Sequence, residues 1–75
     1  MITENRKQYL IADAIVFAIE AMNRLPAVYR PQNNINELKG ILNELDPRDL
    51  SLLQSDAHRL VDALVGSRPF RQFTA

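Results

Sequence analysis

The chain has no cysteine and no tryptophan, one histidine, and two glycines among its 75 residues. Without cysteine there is no disulfide framework and no thiolate metal site to hold a small fold together. Two isolated glycines, Gly40 and Gly66, make no phosphate-cradling loop. The residue three before His58 is Ser55, so the Glu-x-x-His pattern of helical di-metal sites is missing. Net charge is missing as well, because nine basic residues balance nine acidic ones. Domains devoted to a phosphate backbone are strongly basic, so nucleic acid is an unfavoured main partner. No apolar run reaches the roughly 20 residues of a membrane span; the best candidate is interrupted by Asp13 and Glu20. The start, Met1 to Leu10, lacks the adjoining cationic and apolar blocks of a signal peptide. The expected location is the cytoplasm, and no cofactor is implied.

What the chain does have is apolar surface. At 47% hydrophobic and 24% charged residues, it has the composition of a folded globular protein. A domain this small is marginally stable on its own core, and oligomerisation is the ordinary remedy once disulfides and metals are excluded.

The apolar surface is concentrated in Leu10 to Leu25, LIADAIVFAIEAMNRL. At 100° per residue, Asp13, Glu20 and Arg24 fall on one polar strip, with Asn23 to one side. Glu20 precedes Arg24 by four residues, the favourable order for a surface ion pair. The remaining arc, roughly 260°, is apolar, where a surface helix needs only about 100°. Ala14, Ala18 and Ala21 lie with Leu10 and Leu25 on a flank that permits close approach. Ile11, Ile15, Ile19 and Met22, extended by Val16, form a bulkier flank. This pattern predicts a long, largely enclosed first helix.

Thr3 is placed to cap that helix, and Pro26 to end it. The connection Pro26 to Asn34 holds two prolines around Val28, Tyr29 and Arg30. We read it as a stiffened loop whose Val28 and Tyr29 lid the core; the functional alternative is an exposed recognition loop anchored by Tyr29 and Arg30. Asn34 and Glu37 resemble a capping box for a second helix with the stripe Ile35, Leu38, Ile41, Leu42 and Leu45. Asp46-Pro47 reads as the N-cap and first residue of a third helix, striped by Leu50, Leu53, Ala57, Leu60, Val61 and Leu64, with Gly66 as a left-handed stop. The tail, Ser67 to Ala75, is basic and aromatic through Arg68, Phe70, Arg71 and Phe73.

Chemistry is sparse. His58 and Asp62 share a helical face with Ser51 and Ser55, but nothing resembles a nucleophile elbow or an oxyanion hole. Helices two and three suggest a helix-turn-helix, yet the start Asp46-Pro47-Arg48-Asp49 sets two carboxylates where phosphates would lie.

The expectation is an all-α domain over residues 1–66, with helices at about 3–25, 34–45 and 47–65, followed by the tail at 67–75. The first helix is the hub of a three-helix bundle, with the other two packed antiparallel against it. Two short helices hardly cover an arc of roughly 260°. We therefore expect a homodimer with first helices at its interface, through Ile11, Ile15, Val16, Ile19 and Met22. The expected function is non-catalytic: a self-associating module that binds or regulates another protein, with contacts to that protein drawn from Tyr29, Arg30, Arg68, Phe70, Arg71 and Phe73. The alternative is a small nucleic-acid-associated regulator using the basic termini.

Overall fold

The structure, a computed structural model, describes residues 1–66. The tail with Arg68, Phe70, Arg71 and Phe73 lies outside the described residues. Three α-helices follow one another: α1 (Glu4–Asn23), α2 (Gln32–Leu45) and α3 (Leu50–Gly66), with one turn of 3-10 helix at Ala27–Tyr29. Both α2 and α3 pack on α1, and their backbones make no close approach to each other. The first helix is the hub of an all-α bundle.

The start of α1 is fixed by Thr3, whose hydroxyl accepts a hydrogen bond from the Arg6 amide at 3.1 Å. This satisfies one of the free amides of the first turn. At the other end, the amides of Arg24 and Leu25 bond back to the carbonyls of Ala21 and Met22. These three-residue closures tighten the last turn, and the chain then leaves at Pro26.

The second helix begins two residues before the predicted Asn34 cap. The Ile35 amide bonds to the Pro31 carbonyl at 3.0 Å, so Asn34 already lies inside the helix and the Asn34–Glu37 box is not used. Pro31, with φ near −79°, leads straight into the first turn, and the N-cap makes no side-chain bond.

The third helix begins later than predicted. Asp46 is spent on ending α2: it adopts a left-handed conformation, φ 48° and ψ 59°, and its amide bonds to the Leu42 carbonyl. Pro47 disfavours the right-handed helical conformation at the preceding residue, and aspartate is among the few non-glycine residues that enter the left-handed region readily. An N-cap needs extended backbone, so Asp46 cannot serve α3 as well. The first helical bond of α3 runs from the Leu53 amide to the Asp49 carbonyl, which leaves Pro47 in the link. α3 then runs unbroken through Gln54 and Ser55. Gly66 is its last residue and has no positive φ, so it is not the left-handed stop that the sequence suggests.

The direction of α3 is a second correction. Glu20 meets His58, and Arg24, one turn later, meets Asp62, one turn later again. Positions rise together on the two helices, so α3 runs parallel to α1. Two successive reversals through short links return the chain to its starting direction, which leaves only α2 antiparallel.

The core is apolar throughout. Ala12, Ile15 and Val16 from α1 cluster with Leu42, Leu53 and Ala57, and Ile19, Leu38, Leu45 and Leu50 pack around them. Ile35 and Val61 are also buried, and no polar side chain is buried among the described residues. Gly40, in mid-helix on the solvent side of α2, has nothing within 4 Å of where a β-carbon would stand. Its presence is tolerated and not required for packing. Gly40→Ala is accordingly expected to stabilise the protein by about 0.4–1 kcal/mol, read as a higher urea midpoint at unchanged slope.

Candidate functional site

α1 is covered on one side only. Its buried residues, Ala12, Ile15 and Val16, with Ile19 beside them, lie on the arc that receives α2 and α3. The opposite arc is also apolar. It carries Leu10, Ile11, Ala14 and Leu25, all exposed, with Phe17, Ala18, Ala21 and Met22 half-buried. No charged residue lies on this arc between Leu10 and Leu25. It takes in the alanine flank read from the sequence together with Ile11, Phe17 and Met22, and the bundle leaves it partly open.

The residues expected at a self-association surface are thereby divided. Ile15, 9% exposed, and Val16 belong to the chain's own core, and Ile19 packs against that core. Ile11, 41% exposed, borders the open arc, and Met22 is half-covered. α2 and α3 settle over the bulkier side chains Ile15, Val16 and Ile19 of the isoleucine flank.

The loop after α1 does not lid the core. Val28 and Tyr29 are 83% and 72% exposed, on a 3-10 turn closed by the Tyr29 amide to the Pro26 carbonyl. Arg30 is turned inward on the loop: its guanidinium donates twice to the Leu25 carbonyl, at 2.7 and 3.2 Å. It fastens the loop to the end of α1, while Tyr29 stays open to solvent.

A polar cluster joins α1 to α3. Arg24 lies 2.9 Å from Glu20 and 2.8 Å from Asp62, and it also donates to the His58 carbonyl at 3.4 Å. His58 Nδ1 stands 3.1 Å from Glu20 and 3.2 Å from the Arg24 guanidinium, with Nε2 3.3 Å from Asp62. A neutral ring can donate from Nδ1 to Glu20 or accept there from Arg24, but not both. Partial desolvation works against the Arg24 charge; the hydrogen bonds and charges of Glu20 and Asp62 outweigh it, and its pKa is raised. Sequence spacing showed the Glu20–Arg24 and His58–Asp62 pairs separately. That they face each other follows from the parallel course of α3, which spacing alone does not reveal. The cluster is partly open to solvent, where such pairs contribute little stability. His58 makes no hydrogen bond to Ser51 or Ser55 among the described residues.

Comparison with protein-family models, with curated proteins and with solved structures finds no match. The molecule's own surface therefore carries the functional reading.

One cleft, of about 430 Å³, lies between the opening turns of α1 and the link from α2 to α3. Asn5, Gln8, Tyr9 and Ala12 form one wall, and Leu45 to Asp49 the other. Arg6 stacks over the Tyr9 ring at 5.4 Å. No group of three or more potential metal ligands occurs among the described residues. No helix among them is long and apolar enough to cross a membrane.

Proposed function

We propose that this protein is a non-catalytic interaction module that self-associates through the uncovered face of α1 and binds or regulates another protein. The observation that supports this most is the open apolar arc of Leu10, Ile11, Ala14 and Leu25 on the hub helix. Scattered apolar residues on a surface are ordinary, whereas a contiguous uncharged strip along one helix marks an association surface. A fold too small to cover its longest helix gains stability by sharing that strip with a second chain. The exposed Tyr29 lies just beyond the end of the strip, on a turn that Arg30 holds in place. A tyrosine held in that way is a suitable anchor for a protein partner.

Molar mass over a dilution series, by sedimentation or light scattering, tests the self-association. A dimer that persists into the low micromolar range is expected. A strict monomer at all concentrations would remove the basis for this reading. Binding to duplex or single-stranded DNA at low salt, weakening as salt rises, would instead favour a nucleic-acid role.

A further inference from the structure

We infer that the second copy docks antiparallel, α1 against α1, with Ala18 of each chain opposite Ala21 of the other. This rests on the self-association proposed above and adds its geometry.

The open arc carries a seam at alternating spacings of three and four: Ile11, Ala14, Ala18, Ala21 and Leu25. That is a heptad pattern, which keeps one line of side chains facing a partner helix over its whole length. Bulk stands at both ends and small residues stand between them. Against a parallel copy, large would meet large at the ends, and three alanine layers would leave voids. Reversing one copy offsets the bulky ends: in one register Leu25 lies over the other chain's Ala14, and in the other Ile11 lies over its Ala21, so that large packs beside small. The two central alanine pairs then permit a close approach of the backbones.

Two reversed registers satisfy the seam. In the first, Ala14 faces Ala18 of the other chain, which brings Asp13 level with the other chain's Glu20, like charge beside like. In the second, Ala18 faces Ala21, which brings each Asp13 within two residues of the other chain's Arg24 and leaves one like-charge meeting, Glu20 with the other chain's Glu20, where the first register has two. Asp13 is half-covered and has no ion-pair partner among the described residues. Charge complementarity selects the second register. The antiparallel sense also sets the positive end of each helix dipole beside the negative end of the other. In this register the paired stretch runs from Ala14 to Leu25 of each chain, about 16 Å.

Because the chain has no cysteine of its own, single-cysteine variants report on this geometry without background. Full-length Ala14→Cys and Leu25→Cys chains are mixed in equal amounts and oxidised gently, and the disulfide products are separated by mass. The mixed product, which joins position 14 of one chain to position 25 of the other, is expected to exceed either symmetric product several-fold. In the proposed register two copies of position 14 lie about 16 Å apart along the axis, far beyond the Cα separation of roughly 4.4–6.8 Å that a disulfide spans. Predominance of the symmetric product joining position 14 to position 14 would overturn the antiparallel sense. A dimer by mass that gives no mixed product would overturn the register while leaving self-association intact. A monomer by mass would overturn both.

Discussion

Leu53→Ala is expected to leave most of the protein unfolded at room temperature. Leu53 is 1% exposed and belongs to the buried cluster with Ala12, Ile15, Val16, Leu42 and Ala57. Truncating a buried leucine costs about 2–5 kcal/mol, depending on how far the surroundings collapse into the space. Collapse has little to draw on here. Two of the five other buried residues of the cluster, Ala12 and Ala57, are alanines, whose side chains cannot swing into a cavity. Domains of this size rarely gain more than about 3–5 kcal/mol from a single core. The substitution therefore consumes most or all of the margin. Urea denaturation followed by far-ultraviolet circular dichroism checks it: a midpoint near that of the parent chain would show that Leu53 is not packed as described. If the protein dimerises, the measurement is made at one fixed chain concentration, because association adds to apparent stability.

The second large effect separates two neighbouring residues of α1. Ile15→Glu is expected to unfold the chain, and Ala14→Glu to leave it folded but monomeric. Ile15 is buried among the core side chains, so its loss alone costs roughly 2–5 kcal/mol, before the penalty for placing an unpaired charge there. Ala14 is exposed about 100° further round the same helix, and glutamate is a good helix former. On the open face the new carboxylate meets only water in the monomer. In the dimer it would be trapped against apolar side chains. Helical content and molar mass are measured for both variants. A folded Ile15→Glu chain would contradict the burial of that flank, and an Ala14→Glu chain that still dimerises with parental strength would place the interface elsewhere.

Neither effect could have been assigned to the right residue from spacing alone. The periodicity of Leu10 to Leu25 shows a helix with too much apolar surface, and that inference carries over to the structure: α1 is the hub, and α2 and α3 cover part of it. What the wheel cannot say is which flank the neighbours choose. Both flanks are apolar, and the choice depends on volume, since isoleucines fill the gap between three helices and alanines do not. The same limit applies to direction. Whether α3 runs with α1 or against it depends on both reversals, and with it the meeting of Glu20 and Arg24 with His58 and Asp62. The local differences are of one kind. Asp46 suits both the end of one helix and the start of the next, and the left-handed backbone it adopts assigns it to the end. Asn34 has the chemistry of a cap, but Pro31 starts the helix before it. Val28 and Tyr29 are apolar enough to lid a core, yet the 3-10 turn holds them out in solvent.

The turn at Asp46 also acts as a gauge of length. Between the end of α2 and the start of α3 lie only four residues, of which one is left-handed and the next has its φ locked by a ring. So little slack remains that the point where α3 begins, beside Tyr9 and Ala12, is set by the turn and not by a search along α1. From there each helix advances about 1.5 Å per residue, in the same direction. His58 comes level with Glu20, and Asp62 with Arg24, because both strips are counted from that one starting mark. One residue added to or taken from the link would rotate α3 by about 100° and slide the two polar rows out of step. The charge cluster at one end of the molecule is thus a readout of backbone geometry at the other.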